Sequence, residues 1–120
     1  MKLAEVQNVL QSEVICGEEW FDNEVVTACG SDLMSDVLVF SKERTLLLTG
    51  LTNIQVIRTA EVGDLAAIVF VRGKRPGPEV IQMARQKGIP LMVTEYSMYE
   101  ACGMVYSCGV KGCSRQGEDQ

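Results

Sequence analysis

The run Ala66-Ala67-Ile68-Val69-Phe70-Val71, followed by Gly73-Lys74-Arg75-Pro76-Gly77-Pro78, Glu79 to Lys87, Gly88 and Leu91-Met92-Val93, decides the fold. Its opening residues are apolar without alternation, so both faces of the segment must be buried, as in a strand of a helix-covered parallel sheet. Pro and Gly then break the chain. Glu79 to Lys87 reads as a helix stopped by Gly88, the residue that best tolerates the left-handed turn after a helix. Strand, loop, helix and strand in that order make a β-α-β unit.

The same rhythm extends in both directions. Upstream, Thr45 to Thr49 is a leucine-rich strand, Gly50-Leu51-Thr52 a turn, and Asn53 to Glu61 a helix with Ile54, Ile57 and Ala60 on one face. Before it come a strand at Val25 to Ala28, a turn at Gly30-Ser31-Asp32, and a helix from Leu33 to Phe40 with Leu33, Met34, Val37 and Leu38 on one face. Downstream, Ser97 to Tyr106 is a helix with Met98, Cys102, Val105 and Tyr106 inward, although Gly103 weakens it by about 1 kcal/mol relative to alanine. At the start, Lys2 to Gln11 is a helix with a Leu3, Val6, Val9, Leu10 stripe, and Val14 to Cys16 is a short strand. Gly17 to Asn23 is a loop with Trp20 or Phe21 packed beneath it. The expectation is an α/β, three-layer fold: a mostly parallel central sheet of about five strands with helices on both faces.

The chain has 120 residues, enough for one domain. That domain is expected over residues 1–110, with 111–120, rich in Gly and charge, as a flexible tail. Hydrophobic residues at 47% and charged residues at 22% are those of a globular domain. A net charge of −5 argues against nucleic acid or an anionic membrane surface as partner. The nearly uncharged stretches are strand-sized, and the N-terminus lacks the layout of a signal peptide, so a cytoplasmic location is expected. There is no histidine, which excludes Ser-His-Asp and Cys-His catalysis and histidine-containing zinc sites. Five cysteines, an odd set, fit reduced thiols better than a disulfide framework.

In a parallel sheet the strand-to-helix turns gather at the carboxyl edge, where ligands of open α/β folds bind. The turns supply Gly30, Ser31, Asp32, Thr49, Gly50, Thr52, Asn53, Thr94 and Ser97 as candidate ligand-binding residues, each beside a helix amino terminus able to hold an anion or carbonyl. Against this, Thr52 with Gln55 and Ser97 with Glu100 both match a capping box, in which the hydroxyl only closes the helix end. Asp32 and Asp36, four residues apart, would share a helix face and could hold Mg²⁺, or else Asp32 stabilises the helix start while Asp36 faces solvent. Gly73-Lys74-Arg75 lacks the preceding glycine of a Walker A loop, and no G-x-G-x-x-G opens a helix, so phosphoryl transfer has no machinery. Arg72, Lys74 and Arg75 are a solvated run or an attraction for phosphate. Cys102, Cys108 and Cys113 are spaced as in no standard metal motif, so no metal and no cofactor is expected. Cys102 is read as core. Cys29 lies beside a helix amino terminus, a position that can lower a thiol's pKa, but with no adjacent base it is read as a buried strand-end cysteine and not as a nucleophile.

The segments Ser31-Asp32-Leu33-Met34-Ser35-Asp36-Val37-Leu38, Leu48 to Ala60 through Thr49-Gly50-Leu51-Thr52-Asn53, Ala67 to Lys74, and Thr94 to Gly103 together resemble the DRTGG domain. The likeness runs from Leu3 to Val110, although the pentapeptide that names the family is not present verbatim. DRTGG domains stand alone, or beside CBS domains in regulatory proteins and some pyrophosphatases, or in long phosphotransacetylases, and they resemble the amino-terminal domain of HPr kinase. The resemblance implies a regulatory, non-catalytic module that tends to dimerise, with nucleotide binding done mainly by attached CBS domains. It brings no settled set of functional residues.

The function expected first is therefore a non-catalytic regulatory or sensory module acting through homodimerisation and an unidentified protein partner. Met98, Tyr99, Met104 and Tyr106 add a physical cue, since they leave apolar groups on more than one side of a single helix. The alternative is a module binding a small anion or adenine nucleotide at the carboxyl-edge turns. A third is a cysteine-based redox or metal-binding protein using Cys29 or the Cys102, Cys108 and Cys113 cluster.

Overall fold

The computed structural model describes residues 1–113. Ala67–Phe70 forms β4, buried along its whole length inside a sheet of six strands among the described residues. The other strands are β1 (Glu13–Cys16), β2 (Thr27–Gly30), β3 (Leu46–Thr49), β5 (Leu91–Val93) and β6 (Lys111–Gly112), in the order β1-β5-β4-β3-β2-β6. All neighbours pair in parallel except β1, which runs antiparallel to β5 at one edge.

The helices are α1 (Leu3–Leu10), α2 (Met34–Phe40), α3 (Ile54–Val62), α4 (Pro78–Lys87) and α5 (Met98–Ser107). The alternating side chains of each strand feed two cores. On one face Leu47, Ile68, Phe70, Leu91 and Val93 pack with Met34 and Val37 of α2, Val56, Ile57 and Ala60 of α3, and Val80 and Ala84 of α4. On the other, Leu46, Leu48, Ala67, Val69 and Met92 pack with Leu3, Val6 and Leu10 of α1 and with Ala101 and Val105 of α5. The three-layer α/β fold expected from the sequence is the fold observed. α2, α3 and α4 connect successive neighbouring strands on one face, as crossovers of a single hand require. α5 carries the chain back over the opposite face, from β5 to β6 beside β2.

Several boundaries differ from the sequence reading. β2 begins two residues late, because Val25 donates its N–H to the Met1 carbonyl and Lys2 bridges to Glu24, so Glu24 and Val25 pair with the chain start instead of the sheet. Leu33 and Leu38 are 57% and 43% exposed, and only Met34 and Val37 of α2 are buried. Here Ser31 Oγ accepts the Leu33 N–H, which delays the helix and leaves Leu33 outside it. Tyr106, placed inward by the sequence reading, is 69% exposed, and Ala101 with Val105 forms the buried stripe of α5. Lys111 and Gly112, assigned to the tail from sequence, form β6, and Val110 before them is buried. Residues 114–120 of that tail lie outside the described residues. α4 closes as expected: Gly88 adopts φ +71°, and its N–H and that of Ile89 return to the last helical carbonyls.

The chain start and β6 meet at one tripeptide. The Met1 ammonium lies 3.1 Å from Glu24 Oε1 and donates to the Val25 carbonyl, while the Lys111 N–H donates to the Val26 carbonyl.

Candidate functional site

The turns after β2, β3 and β4 converge on Gly50. Asp32 Oδ1 accepts hydrogen bonds from Thr49 Oγ1 at 2.9 Å and from the Gly50 N–H at 2.7 Å. The Thr49 hydroxyl in turn accepts the Leu51 N–H at 3.1 Å. A Cβ added at Gly50 would lie 3.6 Å from both Asp32 carboxylate oxygens and 3.7 Å from Lys74 Cδ, so the three turns enclose this one position. Asp32, Thr49 and Gly50, read separately as candidates, thus form one hydrogen-bonded unit, with Lys74 at its rim. The chain supplies its own anion here: an incoming anion would have to displace the Asp32 carboxylate to reach the same donors.

The other candidates lie apart from that unit or are engaged elsewhere. Ser31 Oγ shapes the approach to α2. Asn53, not Thr52, is the N-cap of α3 and makes no side-chain cap bond, so the Thr52 and Gln55 capping box does not form. The one at α5 does: Ser97 Oγ accepts the Glu100 N–H at 3.2 Å, and Glu100 Oε1 accepts the Ser97 N–H at 3.3 Å. Thr94 is buried and donates to the Leu10 carbonyl at 2.7 Å, linking β5 to the end of α1. Asp32 and Asp36 do not share a helix, because α2 starts at Met34 and Asp32 turns toward β3. Arg75 pairs bidentately with Glu13 at 2.9 Å on each arm, and the guanidinium holds the Glu13 carboxyl below its usual range. Of the expected cationic run, Arg75 is therefore already matched.

Cys29 is not an activated thiol. Burial pushes the pKa of Cys29 up, and those of Cys16 and Cys102 likewise, because desolvation disfavours the thiolate. This outweighs any helix amino-terminal effect on Cys29. Among the described residues, no three Cys, Asp or Glu side chains converge as a metal would need. No described helix is long and apolar enough to cross a membrane.

Gly30 belongs to a second feature. It faces α5 so closely that an added Cβ would lie 2.5 Å from Cys102 Sγ and 3.2 Å from Met98 Sδ. A largely apolar groove of about 880 Å³ opens here between α5 and the β2–β6 edge, with Ala28, Gly30 and Leu48 beneath and Tyr99, Gly103 and Tyr106 along its wall. Tyr99 and Tyr106 are 88% and 69% exposed, and a Cβ at Gly103 would have none of the described residues within 4 Å. The sequence signal was present: spacings of four and three put Tyr99, Gly103 and Tyr106 on one helical stripe. The sequence reading took Tyr99 and Tyr106 as a cue to self-association but treated Gly103 only as a helix-weakening residue, not as the gap between the two rings.

Among curated proteins, no relative matched the chain. A solved structure similar in fold is the regulatory region of Clostridium perfringens pyrophosphatase, comprising its CBS and DRTGG domains in complex with the activator diadenosine tetraphosphate. The TM-score is 0.69 at 18% identity, and the match covers 87% of this chain and 45% of that one, so this chain spans under half of the neighbour's length. The DRTGG domain family profile matches residues 5–108. That match takes in the Asp32, Thr49 and Gly50 unit, the groove wall and every strand but β6, and the chain belongs to the DRTGG domain family.

Proposed function

We propose that the chain is a non-catalytic regulatory module of the cytoplasm that acts by forming a homodimer and docking a partner protein, with the α5 wall of the groove as the self-contact. The observation that carries this reading is the Tyr99, Gly103, Tyr106 stripe: two exposed aromatic rings flank a residue with no side chain, beside an apolar groove. Such a face is self-complementary about a two-fold axis at Gly103, where the bare backbone lets two helices approach and each Tyr99 meets the other copy's Tyr106. The similar fold within a pyrophosphatase regulatory region supports a regulatory role.

Sedimentation velocity tests it. The chain is expected to be dimeric at tens of micromolar, on the order of weak homodimer affinities. Gly103→Arg is expected to raise the dissociation constant by about tenfold or more, as steric blockage at an interface centre does. The same change should leave the monomer folded, because the position is open and Arg favours helix over Gly by about 1 kcal/mol. A monomeric parent chain would overturn the reading.

A second reading rests on the Asp32 unit: a small anion or adenine nucleotide binds the Thr49 hydroxyl and Gly50 N–H beside Lys74, without turnover, when the Asp32 carboxylate swings away. Asp32→Asn removes the competing charge and is expected to tighten ATP binding in calorimetry by about tenfold, the scale of one charge-assisted contact. Equal or weaker binding by the variant would sink this reading while leaving the dimer untouched.

A further inference from the structure

β6 pairs with β2 in parallel register, Thr27 opposite Lys111 and Ala28 opposite Gly112. The next positions along the two chains are Cys29 and Cys113. Facing residues of adjacent parallel strands present their side chains to the same side, and strands about 4.8 Å apart fall within the Cα separation a disulfide spans. Cys113 is also drawn inward over β2: its Sγ is 3.4 Å from Thr45 Oγ1, which is 2.7 Å from Thr27 Oγ1. Thr27 and Cys29 are alternate residues of one strand and share that face. Cys102 does not compete, because it packs over Gly30, on the opposite side of the sheet. Both Cys29 and Cys113 are partly exposed, as a thiol reagent requires.

We propose that Cys29 and Cys113 form a dithiol site that a small disulfide of the glutathione type oxidises to a cross-strand disulfide, fastening β6 to the sheet edge. One protein thiolate attacks a sulfur of the reagent, whose S–S bond breaks to release one glutathione thiolate. The second protein thiolate then attacks the mixed disulfide and releases the other. The protein loses two protons and two electrons, and one glutathione disulfide gains them to become two glutathione thiols. The two thiols belong to the α2 side, whereas the dimer reading rests on the α5 wall; the β2–β6 edge, with Cys29, Lys111 and Gly112, also lines the groove and is common to both.

The test uses the Cys108→Ser chain as parent, which removes the exposed thiol after α5. The folded protein is incubated with oxidised glutathione at about pH 9, which raises the thiolate fraction above that at neutral pH, then denatured, and its remaining thiols are counted by N-ethylmaleimide labelling and intact mass. Two thiols are expected to disappear together with no gain of glutathione mass. The same paired loss is expected in Cys102→Ser and none in Cys29→Ser or Cys113→Ser. Retention of every thiol, glutathione adducts without paired loss, or a paired loss that survives Cys113→Ser would overturn the proposal.

Discussion

Gly17→Ala is expected to lower stability by about 2–5 kcal/mol, combining left-handed strain of about 1–2 with overpacking of about 1–3. Gly17 sits at φ +89°, just after β1, and a Cβ there would lie 2.5 Å from Pro90 Cα and 2.8 Å from Pro90 Cβ. Pro90 cannot withdraw freely, since its carbonyl accepts the Ile68 N–H at 3.0 Å and its chain continues into β5. A loss of that size is a large part of the 5–15 kcal/mol that holds a typical domain together. Urea unfolding of Gly17→Ala beside Gly109→Ala separates the two contributions. Gly109 has φ +98° but none of the described residues within 4 Å of an added Cβ, so among them it carries the backbone strain alone. Equal midpoints for the two variants would show that Pro90 does not restrict the site.

Phe70→Ala is expected to cost about 3–5 kcal/mol, the range for emptying a buried aromatic position. Phe70 is fully buried, pairs with Thr49 on β3 and Val93 on β5, and fills the core beneath α3 and α4. Its carbonyl also accepts the Thr94 N–H at 2.9 Å, so the cavity would open directly beneath the carboxyl-edge turns. The urea midpoint should fall while the slope of the transition stays the same, which marks a loss of stability without a change in the surface exposed. A cost below about 1 kcal/mol would mean that the surrounding side chains collapse into the space.

The unit from Ala66 to Val93 was legible because its signals are local: an unbroken apolar run, a Pro and Gly loop, and a helix with Gly88 at its end. The features that escaped depend on neighbours distant in sequence. β6 has no apolar pattern of its own, and it exists because α5 is long enough to return the chain across the sheet to β2. Asp32 was a candidate from its turn alone, but its partners Thr49 and Gly50 come from the pairing of β2 with β3. Arg75 looked free because Glu13 approaches it from the far end of the chain, through the antiparallel β1. Thr52 matched a capping pattern that slipped by one residue, because Asn53 took the cap position. The inward reading of Tyr106 failed because an apolar tally does not separate a ring that fills a core from one that lines a groove.

The meeting of Met1, Lys2 and Lys111 at Glu24-Val25-Val26 bears on how such a module can be wired into larger proteins. A polypeptide that enters at Met1 and leaves after Lys111 does so at one spot on the surface. A host protein could therefore carry the module within a single loop, its own flanking segments staying side by side, as tolerated domain insertions require. Tension or rotation in the host would then reach the β2 edge first, where the last strand is only two residues long.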